Sequence, residues 1–100
     1  MNAAQIILQQ LGGNKFIAMT GCKNFLHSNQ GQTLTMDLPI NASQARRLQI
    51  TLNGLDLYDM MFFHYKPKTL DIVIIAVYNN IYDDQLQPIF TALTGLQTHL

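Results

Sequence analysis

The sequence predicts an α+β domain: an antiparallel meander of four or five strands, with one N-terminal and one C-terminal amphipathic helix. Two segments rich in Ile, Val, Phe and Tyr, residues 55–65 and 72–78, have the composition of strands and flank a turn at Lys66-Pro67-Lys68. Helical spacing of apolar residues appears near both ends of the sequence. Short turns separate the predicted strands, which makes neighbouring strands antiparallel.

A length of 100 residues without a linker or an internal repeat predicts one domain, residues 1–100. Apolar residues form 48% of the chain and charged residues 12%, about half the usual share of charge. Six basic residues balance six aspartates, so little net charge keeps copies of the chain apart. This composition argues against a basic protein that coats nucleic acid, and it favours self-association.

Cysteine usage and hydropathy predict a cytoplasmic protein that does not cross a membrane. Cys22 is the only cysteine and has no partner for an internal disulfide, which fits a reducing compartment. The N-terminal residues lack the basic segment of a signal peptide, and Gln9 and Gln10 interrupt their apolar run. The apolar run at residues 72–77 is far too short to span a bilayer.

Residues 2–11 have the pattern of an amphipathic helix that packs on the sheet. Asn2 can cap the first turn, and Gly12-Gly13 provides a stop that tolerates positive φ. A membrane-surface helix is the alternative, but the polar face carries no Lys or Arg to bind a lipid surface. Apolar residues recur at i, i+3, i+4 and i+7, namely Ala4, Ile7, Leu8 and Leu11.

The next part of the chain predicts extended structure. Residues 15–27 have the pattern of two short strands divided at Gly21, or of one strand bent there by a bulge, and a turn follows at residues 28–31. Residues 41–45 predict a short helical turn. Residues 33–38 alternate between apolar and polar and direct three side chains inward, those of Leu34, Met36 and Leu38.

Residues 47–52 alternate again and lead through Asn53-Gly54 into the central hairpin. Asn-Gly is a strong signal for a type I′ turn because both residues accept positive φ. The hairpin strands are apolar at consecutive residues, 60–63 and 72–77, so both of their faces need covering. Alternation along these strands predicts three core residues, Phe63, Ile72 and Ile74.

Residues 84–94 predict the C-terminal helix. Asp83 or Asp84 can cap its start and lie favourably at the positive end of its dipole. Pro88 must lie in the first turn, where its missing N–H costs least, and Gly95 fits the stop. One helix face is apolar and consists of Leu86, Ile89, Phe90 and Leu93.

Three segments carry a resemblance to a known family: LGGNKFIAMTG at residues 11–21, ITLN with DLYD at residues 50–59, and DQLQPIF with TG at residues 84–95. Through them the chain resembles a family of small, uncharacterised proteins encoded by bacteriophages and other bacterial mobile elements. The resemblance implies expression inside a bacterial cell from a mobile genome, and no functional residues. Cys22 stands where that family has a small residue such as Ala, which argues against a catalytic thiol.

The leading functional prediction is a protein–protein interaction module that associates with itself or with another protein. Two helices with narrow apolar stripes can cover one face of the sheet, but not both faces of the central hairpin. An apolar patch of that size is unusual on a monomer, and a two-fold dimer would bury it. The predicted interface consists of Tyr58, Met60, Phe62, Val73, Ile75 and Val77.

A module that binds single-stranded nucleic acid is the alternative prediction. Zero net charge argues against it, because phosphate binding normally requires a basic excess. Aromatic residues near the basic ones in sequence, Phe16, Phe25 and Tyr58, are candidates for base stacking. The phosphate contacts would come from Lys15, Lys23, Arg46 and Arg47.

The third prediction is an enzyme of unknown reaction in which Asp59 or Asp71 orients His64 as a base. A half-buried histidine in a strand is the more common outcome for such a residue. The sequence predicts no cofactor and no metal, because the histidines and Cys22 lack the spacing of metal ligands. The aspartate pairs likewise supply too few ligands for a calcium loop.

Overall fold

The computed structural model describes residues 2–98 and contains a five-stranded antiparallel sheet whose strands lie in chain order. The predicted α+β class and the antiparallel meander are confirmed. The strands are β1 (Lys23–Ser28), β2 (Thr33–Asp37), β3 (Arg47–Leu52), β4 (Tyr58–Tyr65) and β5 (Ile72–Ile81). The helices are α1 (Ala3–Leu11), α2 (Asn14–Thr20) and α3 (Leu86–Thr94), and a short 3₁₀ turn, Asp83–Gln85, precedes α3.

The first helix, α1, begins and ends as the sequence predicts. The Asn2 side chain accepts a hydrogen bond from the Gln5 backbone N–H at 2.9 Å, and the Gln5 side chain accepts one from the Asn2 N–H at 3.0 Å. Gly12 ends the helix with a φ of 127°. The Ala4 N–H also donates to the Gly31 carbonyl at 2.7 Å, which joins the start of α1 to the β1–β2 turn.

The prediction of extended structure is wrong for residues 15–20, which belong to the helix α2. Phe16 and Thr20, four residues apart, are buried on one face of this helix. The Phe16 ring meets Phe90 of α3 edge-on at 5.1 Å between centroids, so tertiary packing overrides a β-rich local composition. Gly21 is the left-handed end of α2, with a φ of 76°, and not a bend within a strand. The strand prediction holds for β1.

The core lies between the helices and one face of the sheet. Alternation along β2 and β3 is confirmed, because Leu34, Met36, Leu48 and Ile50 are fully buried there. Burial of one such side chain contributes about 1.5–3 kcal/mol to folding. The helices supply the remaining buried apolar residues, Ala4, Ile7, Leu11, Phe16, Leu86 and Phe90.

Two predicted turns have different structures. Asn53 and Gly54 do not adopt the positive φ of a type I′ turn; the positive φ falls at Asp56, within a longer loop that joins β3 to β4. The Asn53 side-chain oxygen accepts hydrogen bonds from the N–H groups of Leu55 (2.8 Å) and Leu57 (3.2 Å), which favours the longer loop. Residues 41–45 form a turn and not a helix, because the Asn41 side chain bonds its own neighbouring backbone.

The C-terminal helix starts differently from the prediction. Neither Asp83 nor Asp84 caps α3; both lie in the 3₁₀ turn before it. Pro88 is the third residue of α3 and so lies in its first turn, as predicted. Gly95 ends the helix in the left-handed conformation with a φ of 77°, which confirms the predicted stop.

The pairing of β4 with β5 contains two bulges that change which residues share a face. Phe62 lies opposite Ala76 and Phe63 lies opposite Ile74, so Ile75 is an extra residue in β5. A second irregularity lies near Asn80, which has positive φ and donates its N–H to the Asp59 side chain at 3.0 Å. The extra residue at Ile75 breaks the two-residue alternation that placed Val73, Ile75 and Val77 on one face in the predicted interface, whereas Phe63, Ile72 and Ile74 still share a face.

The core prediction for the hairpin is correct for one residue of three. Phe63 is only 3% exposed, but Ile72 and Ile74 are 51% and 57% exposed. Ile72 is paired with Tyr65, and Ile74 with Phe63; both partners lie on the face of the sheet away from the helices. The side chains of directly opposed residues in a sheet share a face. Ile72 and Ile74 therefore lie on that uncovered face.

Candidate functional site

The predicted interface does not form one exposed surface. Tyr58, Met60 and Phe62 lie under the helices and are buried, with the Phe62 ring 6.4 Å from the ring of Phe90. The prediction that these three residues are exposed is wrong, because the helices cover the sheet face that the sequence left to a partner. Of the other three predicted residues, Val73 and Ile75 are half-buried and Val77 is exposed on the opposite face.

The helices pack on one face of the sheet, and the other face carries exposed apolar side chains. We call this other face the open face. Most of its exposed apolar side chains are on β4 and β5, where Tyr65, Ile72, Ile74 and Val77 are 41–57% exposed; Leu26 on β1 is 62% exposed. The register of the five strands assigns a set of residues to the open face that includes Leu26, Thr33, Thr35, Asp37, Arg47, Gln49, Thr51, Asp59, Met61, Phe63, Tyr65, Ile72, Ile74 and Val77.

Charge on the open face is internally compensated. The Nε of Arg47 lies 3.2 Å from a carboxylate oxygen of Asp37, and the guanidinium lies 5.1 Å from the centre of the Tyr65 ring. The Asn24 side chain donates a second hydrogen bond to Asp37 at 2.7 Å. These contacts hold the polar groups in place before any partner arrives, so that their ordering adds little cost to binding.

The charged residues are separated toward the two ends of the strands. We call the end where β3 begins and β4 ends the basic end, and the opposite end the acidic end. Five of the six basic residues and only two aspartates lie at the basic end: Lys23, Arg46, Arg47, Lys66 and Lys68, with Asp37 and Asp71. The acidic end carries the other four aspartates, Asp56, Asp59, Asp83 and Asp84.

The four predicted nucleic-acid contacts are only partly brought together. Lys23, Arg46 and Arg47 lie at the basic end, whereas Lys15 is on α2. The predicted stacking residues Phe16 and Tyr58 are buried and Phe25 is half-buried, so they present little ring surface. The exposed aromatic residue at this end is Tyr65, and sequence reasoning missed it. Its position directly before the Lys66-Pro67-Lys68 turn was the available signal.

His64 lines a pocket of about 350 Å³ at the basic end, and none of the other lining residues carries a carboxylate. Asp59 lies on the open face, whereas His64 lies on the other face of β4, so the predicted orientation of His64 by Asp59 is not formed. Within residues 2–98, the Nδ1 of His64 is buried without a hydrogen-bond partner. No acidic residue lines the pocket, whose walls are Ile40, Asn41, Gln44, Arg46, His64, Tyr65 and Pro67.

Cys22 has the environment of a structural residue. Its side chain is buried, and burial raises the pKa of the thiol above its ordinary value, a shift that a hydrogen bond with Thr20 partly opposes. A raised pKa leaves little thiolate at neutral pH, and the thiolate is the reactive form. This environment provides no activated nucleophile.

Residues 2–98 contain neither a metal cluster nor a membrane-spanning helix. Within that range, no group of three or more His, Cys, Asp or Glu side chains is arranged to hold a metal ion. No helix in that range is long and apolar enough to cross a membrane. His99, one of the three histidines considered from the sequence, lies outside the described residues.

No protein-family model, curated protein or solved structure matches this chain. Its function is therefore inferred from the open face and from the distribution of charge over the two ends of the sheet.

Proposed function

We propose that this protein is an interaction module that self-associates through the open face. The observation that carries the proposal is a sheet covered on one face only, with Tyr65, Ile72, Ile74 and Val77 exposed together on the other. Scattered apolar side chains are normal on a surface, but a contiguous apolar patch marks an interaction site. The face also has the Met, Tyr and Arg content that is enriched at protein interfaces.

The size of the open face suits a weak dimer of two copies. Strands of five to ten residues, spaced about 4.8 Å apart and rising about 3.3 Å per residue, give a face of roughly 400–600 Å². Stacking two such faces would bury roughly 800–1,200 Å² in total, near the lower limit of about 1,000 Å² for a specific interface. A reversible, concentration-dependent dimer is the expected outcome.

Stacking of faces is favoured over addition of strands at the free edge of β5. An exposed edge strand can pair with another chain through its unpaired backbone groups, but bulges twist an edge away from such pairing. β5 carries two irregularities, at Ile75 and near Asn80. The open face presents its apolar residues without requiring a regular edge.

The biological setting of the proposal rests on the sequence resemblance alone. The resemblance to small proteins of bacteriophages and mobile elements implies expression inside a bacterial cell. We place this chain there as an accessory factor, with a second copy of itself as its partner.

Sedimentation equilibrium tests the proposal between micromolar and millimolar protein. The parent chain is expected to pass from monomer to dimer, and Ile74→Lys is expected to keep it monomeric because a lysine in the stacked interface would be desolvated without a partner. Ile6→Lys is the matched control, since it makes the same Ile-to-Lys change at an exposed residue of α1, on the helix side of the molecule and not on the open face. A parent chain that remains monomeric throughout the range would overturn the proposal.

One observation favours a second candidate function, the binding of single-stranded nucleic acid at the basic end. Composition hides the local excess of positive charge, because the compensating aspartates lie at the other end. Tyr65 adds an exposed ring beside these charges, and stacking on aromatic rings is a general way to hold unpaired bases.

A further inference from the structure

We infer that two copies stack with their strands antiparallel, about a two-fold axis that lies between the open faces and runs across the strands. The basic end of each copy then covers the acidic end of the other. This inference rests on the proposed self-association and adds to it the orientation of the partner, the contacts at the rim and a dependence on salt.

Symmetry leaves two principal ways to stack two copies of one sheet face to face. An axis parallel to the strands places basic end on basic end and acidic end on acidic end. An axis across the strands reverses strand direction and places opposite charges over each other. Because each copy concentrates five of its six basic residues at one end and four of its six aspartates at the other, only the second arrangement avoids repulsion at both ends.

The distribution of apolar residues selects the same axis independently of charge. Most of the apolar part of the open face lies on β4 and β5 at one side of the sheet, its polar part lies on β2 and β3, and Leu26 is its one exposed large apolar residue on β1. An axis across the strands places each strand over the same strand of the partner, so Met61 and Val77 meet the partner's apolar strands β4 and β5. A central axis along the strands would place β5 over β1, where Leu26 is the one exposed large apolar side chain of the open face, and β4 over the polar strand β2.

The chosen axis brings specific charges together at the rim. The end of β4 in one copy lies over the start of β4 in the other, so Lys66 approaches the loop that carries Asp56. Both side chains are exposed in the monomer. The two-fold axis forms this contact twice, and exposed charge pairs are weakened by salt, with a screening length of about 10 Å at 0.1 M.

Charge reversal at these two residues tests the orientation. Lys66→Glu alone and Asp56→Lys alone are each expected to weaken the dimer about tenfold at low salt, because two attractive contacts become repulsive. The double variant Lys66→Glu/Asp56→Lys restores the attraction with the signs exchanged, and its dissociation constant is expected within about threefold of the parent. Asp56→Asn provides a second variant, since Asn tolerates the positive φ of Asp56 and only removes the charge.

Lys15→Glu is the matched control for Lys66→Glu. It makes the same change in net charge at an exposed residue of α2, on the helix side of the molecule, and is expected to change the dissociation constant less than threefold. If the single charge reversals weaken the dimer no more than Lys15→Glu does, while Ile74→Lys still makes the chain monomeric, the orientation is overturned and the self-association stands. A double variant weaker than either single variant would also overturn it. A monomeric parent would remove the proposed function itself.

Discussion

Phe62 and Phe63 are adjacent in β4 and are both buried, yet they lie on opposite faces of the sheet. The Phe62 ring is 6.4 Å from Phe90 and belongs to the core beneath the helices. The Phe63 ring meets Tyr65 edge-on at 5.8 Å on the open face. The two residues have the same chemistry and similar exposure, but one is enclosed by a core and the other by neighbouring side chains of its own sheet.

Truncation of these two rings should therefore have unequal effects on stability. Phe62→Ala is expected to reduce the free energy of unfolding by about 3–5 kcal/mol, because it leaves a cavity in a closed core. Phe63→Ala is expected to cost about 1–2 kcal/mol, because water and neighbouring side chains can fill the space on an uncovered face. Urea denaturation of both variants measures the difference, and equal losses would show that the open face is covered in solution.

Gly31 and Gly54 provide a second comparison, this time of two glycines in turns. Gly31 has a φ of 84°, and a Cβ there would lie 2.8 Å from the Cβ of Asn2, which caps α1. Gly54 lacks a positive φ and has open space around its Cα. We expect Gly31→Ala to destabilise the fold by at least about 1 kcal/mol, and Gly54→Ala to be neutral or stabilising by about 0.4–1 kcal/mol.

Thermal melting of the two alanine variants compares them directly. For a domain of this size, a change of about 1 kcal/mol shifts the melting temperature by about 4–8 °C. Destabilisation by Gly54→Ala would contradict the loop described above and would indicate the type I′ turn that the Asn-Gly pair predicts, since that turn needs positive φ at Gly54.

The sequence predicts those elements whose pattern is local. α1, β2 and β3 follow from the spacing of apolar residues and from end signals such as Asn2 and Gly12. α2 does not, because its helical state depends on the contact of Phe16 with Phe90, 74 positions further along the chain. Contacts at that separation leave no mark in a local pattern.

The candidate site was harder to predict because β5 has no polar residue to mark its faces between Ile72 and Val77. In a uniformly apolar strand, an extra residue at Ile75 reverses the face of the later residues without changing the pattern. The separation of charge became visible only with the register, which aligns Lys23, Asp37 and Arg47 at one end of the sheet. The composition, with its net charge of zero, conceals it.

Cys22 and Tyr58 predict a loss of stability at alkaline pH. Burial raises the pKa of the Cys22 thiol and that of the Tyr58 hydroxyl above their ordinary values; at Tyr58 a hydrogen bond with Gln10 partly opposes this shift and the Asp83 carboxylate adds to it. A group whose pKa is raised by folding stabilises the fold fully below its unfolded pKa. That contribution is lost as the pH rises through the folded value. Stability should therefore be flat to about pH 8 and fall from about pH 9 upward.

Single substitutions separate the two contributions to this alkaline loss. Tyr58→Phe removes the group that titrates at the higher pH, and Cys22→Ala removes the one that titrates at the lower pH. Each variant should therefore show a shallower fall of the urea midpoint with pH in the range where the removed group titrates. Each substitution also lowers the midpoint at neutral pH, which makes the slope with pH the informative quantity. A parent chain equally stable at about pH 8 and at about pH 10.5 would contradict the burial of both groups.

The basic end yields the last prediction, which separates the second candidate function from the first. Lys23, Arg46, Lys66 and Lys68 have no ion-pair partner among residues 2–98, whereas Arg47 is held by Asp37. Four phosphate contacts on a single strand, at about 0.7 each, give a slope near −3 of the logarithm of affinity against that of salt concentration. Lys66→Gln/Lys68→Gln should reduce the magnitude of this slope by about 1.4, and Lys15→Gln on α2 should leave it unchanged. Fluorescence anisotropy with a labelled oligonucleotide measures the slopes, and the absence of binding at low salt, where attraction is strongest, would eliminate the nucleic-acid function and leave self-association.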